Sequence, residues 1–201
     1  MKRSCIALGL LVIAGGAAAA GAAKVEAGFT SMFNGKDLSG WTIENKGKFS
    51  VKSGVIFLDR GAGWLRSNQE YQDFELRLDF RFVSKGADSG IFVRAVKEGS
   101  NWPAKNYQVQ TMDNESIAAV FATGLNKVKM KRDADLMRKV RKTAGEWQSY
   151  AITLQGVHAE IKLNDALITV ADSLTVQPGH IGLQGEGGQL EFKNLRVKEL
   201  K

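Results

Sequence analysis

The sequence is poor in the residues that usually mark a site. It has one cysteine, two histidines and two prolines in 201 residues. The single cysteine, Cys5, sits near the start of a leader-like stretch, so the chain beyond that stretch has no thiol for a disulfide or a thiolate metal site. The two histidines, His158 and His180, are isolated, which argues against a zinc cluster. His158 alternates with Glu160 and Lys162, as on an exposed strand face, and His180 follows Pro178-Gly179 at a strand entrance, a structural position. Two prolines leave no Pro-rich linker. There is no apolar run of the roughly 20 residues that a membrane span needs, no internal repeat, no coiled-coil heptad and no recognisable nucleic-acid-binding module.

What the first residues do carry is a secretory pattern. Lys2 and Arg3 precede the apolar run Ile6–Ile13, and small residues fill Ala14–Ala23. A charged start, a short apolar middle and an Ala-x-Ala exit predict a cleavable signal peptide over residues 1–23, with Ala20 and Ala23 as alternative cleavage points. A periplasmic or secreted location follows. Residues 24–201 then form a single domain with enough chain for a sizeable core. Loss of Lys2 and Arg3 lowers the formal charge from +7 to +5. That balance serves solubility and would also suit acidic glycans.

The organising stretch is Phe74–Phe82, FELRLDFRF. Phe74, Leu76, Leu78, Phe80 and Phe82 alternate with Glu75, Arg77, Asp79 and Arg81, which predicts a strand with one apolar and one charged face. The charged face is expected to be solvated. A turn at Ser53-Gly54 joins two strands within FSVKSGVIFL. SGIFVRA (Ser89–Ala95) is apolar on both faces, as a central strand is, and leaves Arg94 as a charge at a buried strand end. YQVQTMD (Tyr107–Asp113) puts Gln108, Gln110 and Met112 on one face. Residues 114–143 read as a long basic excursion with one helical turn near Ala134–Val140. Regular strands resume at GEWQSYAITLQ, and a change of phase near Lys193-Asn194 predicts a β-bulge. Trp41, Trp64 and Trp147 are expected in the core. About a dozen short strands, with turns every eight to twelve residues, predict an all-β sandwich of two antiparallel sheets.

Seven blocks occur in order: FNGKDLSGW, WLRSNQEYQDFELRLDFRF, SGIFVRA, YQVQTMD, GEWQSYAIT, IKLNDALI and GHIGLQGEGGQLEFKNLRVKEL. Together they resemble the bacterial secreted 3-keto-disaccharide hydrolase family, also described as 3-keto-glucoside lyase/hydratase, over nearly all of the chain beyond the leader. The resemblance implies a concanavalin A-like jelly roll whose concave sheet presents a carbohydrate site. It also implies a chemistry in which a ketone at sugar C3 acidifies the C2 proton, a base removes it and the C1 substituent is expelled. That needs a base within reach and a positive charge or divalent metal ion at the enolate oxygen. The sequence does not place such an ion.

Matching the family's blocks makes Asp113 the candidate base or metal ligand, Arg94 a candidate for the sugar oxygen or enolate, and Gln110 a hydrogen-bonding partner of sugar hydroxyls. Arg94, Gln110 and Asp113 are expected to gather in one hollow. Gln184 and Glu186, in the late glycine-rich loop, and Trp102, an aromatic in a loop, are further candidates for the sugar. At Gln108 the family usually has glutamate, so a carboxylate is missing at a candidate site position. The expected ligand is an oligosaccharide or an oxidised glucoside. Two other readings fit the residues: a non-catalytic carbohydrate-binding sandwich, and polyanion binding through the basic stretch Lys127–Lys142.

Overall fold

In a computed structural model, which describes residues 26–201, the alternating stretches become strands of two antiparallel sheets. The leader assigned to residues 1–23, with its two cleavage points, lies outside the described residues. The elements in chain order are β1 Thr30–Ser31, β2 Trp41–Asn45, β3 Phe49–Lys52, β4 Val55–Leu58, β5 Gly63–Tyr71, β6 Phe74–Phe82, β7 Asp88–Ala95 and β8 Asn106–Met112. They continue with β9 Val120–Thr123, β10 Lys129–Arg132, α1 Ala134–Val140, β11 Gln148–Gln155, β12 His158–Leu163, β13 Ala166–Asp172, β14 Gly179–Gly185 and β15 Leu190–Glu199. The back sheet runs β10-β13-β12-β11-β6-β15-β4-β3, with β1 beside β15. The front sheet runs β2-β5-β14-β7-β8-β9.

The apolar face of β6 builds the interface between the sheets. Phe74, Leu76, Leu78, Phe80 and Phe82 are all buried, and they share one core with Leu65, Ile91, Val93, Val109, Ile181 and Leu183 of the front sheet. Burying one such side chain contributes about 1.5–3 kcal/mol, so this layer is the main source of stability. The other face of β6 is solvated, as expected. Arg81 pairs with Glu191, and Arg77 with Glu75 and Glu26.

Turn chemistry follows the sequence closely. Ser53 and Gly54 both have positive φ, as do Asn164 and Asp165, which suits the two-residue hairpins they close. The bulge predicted near Lys193-Asn194 is present: the β15–β6 register shifts between Lys193 and Arg196, and Asn194 has φ 54°. Helix α1 is capped by the Asp133 side chain, which accepts from the Leu136 N–H.

Three expectations need correction. The basic stretch is not one long excursion, because it supplies edge strands to both sheets, β9 to the front and β10 to the back. Val120 and neighbouring Ile117 and Ala118 are buried and hold it down. Trp147 is not in the core. It lies on the outer face of the back sheet, where Arg81 and Lys193 sit over its ring. The third is Arg94. By strict alternation it would share the outer face of β7 with Phe92. Instead Arg94 has φ 49°, and β7 and β14 shift register beside it. The bulge turns its side chain inward, fully buried.

There the guanidinium donates to the carbonyls of Gln72, Thr175 and Gly156 and to Asp73 Oδ1 at 2.9 Å. Gln72-Asp73 carries the chain from β5 to β6, and Thr175 lies between β13 and β14. Both are crossings from one sheet to the other, so Arg94 fastens the sandwich at one end. Arg94→Lys keeps the charge but loses the planar fork. It should lower unfolding stability by about 3 kcal/mol, seen as a reduced urea midpoint. An unchanged midpoint with lost activity would place Arg94 at the substrate instead.

Candidate functional site

The outer face of the front sheet is read from its register. Gln108 of β8 stands opposite Phe92 of β7 and Phe121 of β9, and Phe92 stands opposite Gly182 of β14. One step along, Gln110 stands opposite Gly90. Glycines at 90 and 182 leave the two central strands bare there, and neighbouring side chains lie across them. A Cβ on Gly90 would fall 2.5 Å from Gln108 Nε2, and one on Gly182 would fall 2.4 Å from the Trp64 ring.

Lying flat over Gly90, Gln108 reaches across β7 and joins a row of five polar side chains. Its Nε2 donates to Gln110 Oε1 at 2.6 Å and to Gln184 Oε1 at 2.9 Å. Gln110 Nε2 donates to Asp88 Oδ1 at 2.9 Å, and Gln184 Nε2 donates to Glu186 Oε2 at 2.8 Å. The direction of every bond follows from the two ends. An ionised carboxylate only accepts, so Gln110 and Gln184 must turn their NH2 groups outward and their carbonyls toward Gln108. Gln108 must then give both its hydrogens inward, which leaves its own carbonyl oxygen unused by any described residue. The backbone under Gln110 is anchored from the back sheet, since its carbonyl accepts from the Tyr150 hydroxyl at 2.8 Å through the core.

The two carboxylates differ from ordinary surface acids. Burial pushes the Asp88 carboxyl above the usual aspartate range, with hydrogen bonds from Gln110 and Ser89 only partly opposing it. Burial first, and then the negative charge of Asp88, push Glu186 up as well. Among the described residues neither has a Lys, Arg or His within salt-bridge distance, and no group of three or more His, Cys, Asp or Glu side chains is assembled to hold a metal ion. The oxygens of these two carboxylates and the free Gln108 carbonyl are of the chemical type that a hard divalent cation takes.

Of the residues expected from sequence, the fold brings together Gln108, Gln110, Gln184 and Glu186. Gln184 lies in β14 itself rather than in the loop after it. Trp102 borders the group. Residues 96–105 fold back over the front sheet, and the Trp102 indole donates to the carbonyl of Gly185, next to Glu186, at 3.0 Å. Its ring packs on Trp64, Phe92 and Ala95, so it is a wall more than a free stacking surface. Arg94 is not in the group, for the reason given above. Asp113 is not either. Met112 continues the Gln108–Gln110 face, while the Asp113 carboxylate accepts from the Gly86 N–H at 3.0 Å and pairs with Arg141 at 3.0 Å. The expected hollow of Arg94, Gln110 and Asp113 is therefore not formed. Asp88 is not among the residues expected from sequence. Its signal was the two-residue spacing to Gly90 and Phe92 on the same face.

Two surface hollows lie elsewhere, one of about 690 Å³ between β10, β13 and α1 and one of about 510 Å³ beside Phe57 and Gln189. The polar row is in neither; it lies on the open face of the sheet. The arginines of the basic stretch are mostly engaged: Arg138 with Glu115 and Asp135, Arg141 with Asp113, and Arg132 with the carbonyls of Glu115 and Ile117.

A two-sheet antiparallel jelly roll with a carboxylate-and-amide row across one sheet defines the class. The family model of the 3-keto-alpha-glucoside-1,2-lyase-like domain matches residues 28–198, and the chain belongs to that family. No curated protein matches it. Among solved structures, a candidate glycosyl hydrolase from Parabacteroides distasonis ATCC 8503 superposes with TM-score 0.65 at 21% identity, over 87% of this chain and 94% of the other. The carbohydrate-binding module CBM66 from Bacillus subtilis gives TM-score 0.58 at 16% identity, over 80% and 96%. A Bacillus licheniformis β-glucanase gives 0.54 at 14%, over 86% and 97%. At these identities the likenesses establish the shared sandwich.

The two glycines yield a paired test. Gly90→Ala drives a Cβ into the Gln108 side chain from Cγ to Nε2, so Gln108 must leave the row; thermal stability should fall by about 1–2 kcal/mol with its two amide hydrogen bonds, and binding of a glucoside, followed by calorimetry, should weaken. Gly182→Ala pushes against a buried indole and should cost about 1–3 kcal/mol, measured by urea unfolding.

Proposed function

We propose that this protein is a periplasmic or secreted enzyme that acts on 3-keto-glucosides by removing the C2 proton and expelling the C1 substituent, with water completing a lyase or hydrolase outcome. The observation that carries the reading is the pair Asp88 and Glu186, two half-buried carboxylates of raised pKa at the ends of a glutamine row. Membership of the 3-keto-alpha-glucoside-1,2-lyase-like family supports the substrate class.

Glu186 serves as the base, because burial and the Asp88 charge both increase its hold on a proton. It takes the C2 proton, and the C–H electron pair moves to make the C2–C3 enolate. Gln110 and Gln184 each retain one amide hydrogen outside the row, and these can donate to the C3 oxygen as its charge grows. The enolate then re-forms the ketone, a C1–C2 double bond forms, and the C1–O bond breaks. The departing oxygen takes up a proton. Asp88 and the Gln108 carbonyl are the oxygen donors that would be left to hold a hard divalent ion, which when bound would supply further neutralisation of the enolate oxygen. The glutamine at position 108 is consistent with this scheme: an amide can donate in two directions and hold its neighbours, which a glutamate cannot do.

An ordinary glycosidase also uses two carboxylates, so the test compares substrates. Turnover of a 3-keto-glucoside, with the unoxidised glucoside left intact, is expected. Turnover of the unoxidised glucoside alone would replace this reading with simple glycoside hydrolysis, and binding without turnover of either would point to a binding module. Glu186→Gln should reduce kcat by about 10²–10⁴-fold.

Asp88→Asn removes the charge that raises Glu186, so the ascending limb of the kcat/KM pH profile should move to lower pH. Stability follows the opposite course from activity. A carboxyl whose folded pKa is raised binds more protons folded than unfolded, so stability falls as pH rises from the unfolded value of about 4.3 through the folded one. Glu186→Gln should therefore raise the Tm by about 1–3 °C at neutral pH, a gain that disappears below pH of about 4. For the location, mass spectrometry of exported protein should find a chain starting at Gly21 or Lys24.

A further inference from the structure

We infer that Trp102 is a positioning residue for Glu186, its indole N–H holding the backbone that carries the base. The inference rests on the catalytic reading above for its kinetic consequence, while the hold itself is measurable without substrate. Glu186 stands in Gly185-Glu186-Gly187-Gly188, and glycine on both sides leaves the backbone free to adopt many conformations. The segment is therefore placed from outside. The Glu186 carbonyl accepts from the Gly61 N–H at 3.2 Å, and Gly187 exchanges two backbone bonds with Asp88, at 2.7 and 3.2 Å. On the other flank the Gly185 carbonyl accepts from Trp102 Nε1 at 3.0 Å. Of these four bonds only the last has a side chain as its donor, so it alone can be removed by one side-chain substitution.

The loop that presents Trp102 is built to hold its shape. The Val96 N–H donates to the Lys105 carbonyl at 2.9 Å and closes the base, and the Ala104 N–H donates to the Glu98 carbonyl at 2.7 Å. Asn106 Nδ2 and Asn45 Nδ2 donate to the carbonyls of Pro103 and Asn101. Gly99 admits the Trp102 carbonyl, where a Cβ would fall 2.0 Å away. The ring then packs on Trp64, Phe92 and Ala95. Packing alone does not account for the bond to Gly185. Trp64 lies in the same cluster, fully buried, and its own Nε1 has no hydrogen-bond partner among the described residues. The cluster thus tolerates an indole N–H that bonds nothing, whereas that of Trp102 is aimed at the residue leading into Glu186. Loss of this bond frees the Gly185 carbonyl and lets the glycine-flanked segment move. A base that moves off the C2 proton loses the attack geometry on which its rate depends.

The experiment pairs Trp102→Phe, which keeps a packed ring and loses the N–H, with Trp102→Ala, which loses both. On a 3-keto-glucoside Trp102→Phe should lower kcat about 10–100-fold with KM changed less than about threefold, because the base is displaced while the binding surface stays. Without substrate, hydrogen exchange followed by NMR reads the hold directly. The amides of Gly61 and Gly187, which donate to Glu186 and Asp88, should exchange about tenfold faster in Trp102→Phe, and that of Ile152 in the back sheet should keep its wild-type rate. Faster exchange confined to Gly61 and Gly187, together with the fall in kcat, upholds the role. Faster exchange in Trp102→Ala alone, in neither variant, or at all three amides alike overturns it, since Trp102 then supplies only packing. Faster exchange with an unchanged kcat overturns it too. Should Trp102→Ala fail to fold, Trp102→Phe decides alone. A wild type that turns over no 3-keto-glucoside removes the catalytic reading, and the hold on Glu186 is then decided by exchange.

Discussion

The sandwich depends on a buried charge that is fully answered. Arg94 lies at one end of the molecule with no exposed surface, and its donors reach Gln72, Asp73 and Thr175, on segments that carry the chain between sheets, and the Gly156 carbonyl of the β11–β12 turn. A guanidinium taken out of water is costly unless its hydrogens are used. Here four partners converge, and their convergence defines where β5 hands over to β6 and where β13 hands over to β14. The left-handed backbone at Arg94 is part of the same arrangement, because only a bulge can turn this side chain off the outer face of β7. That face is then left to small and flat groups.

The absence of bulk at the centre of the front sheet is what makes a site there. Gly90 and Gly182 leave room for Gln108 and Trp64 to lie sideways. A sideways glutamine can bridge three strands, and the amides it holds end on two carboxylates that the Asp88–Gly187 pairing brings near each other. Burial keeps both of them protonated to higher pH than surface acids, and the bond directions they impose leave one carbonyl facing solvent. Position, proton affinity and bond polarity thus come from one packing choice. The back sheet contributes through Tyr150, which crosses the core to hold the Gln110 carbonyl.

The walls of this face are unequal. The β5 side is closed by an aromatic cluster under the 96–105 loop, with Trp102 at its tip. The β9 side ends in an edge strand with one exposed phenylalanine.

Alternation, turn dipeptides and the phase slip at Lys193-Asn194 determined the strands, the hairpins and the two-layer architecture from sequence alone. These are local properties: a period of two and a positive φ act over a few residues and need no knowledge of partners. The shared face of Gln108 and Gln110 was legible for the same reason. Only the tertiary structure decided which candidates meet. Arg94 left the site through a bulge whose cause is distant, at Gln72, Asp73, Gly156 and Thr175. Asp113 found Arg141, 28 residues away. Asp88 entered beside Glu186 because β7 and β14 are neighbours in space though far apart in the chain. Which strands lie side by side is set by how two sheets bury their apolar faces against each other, and that is a property of the whole core rather than of any one segment.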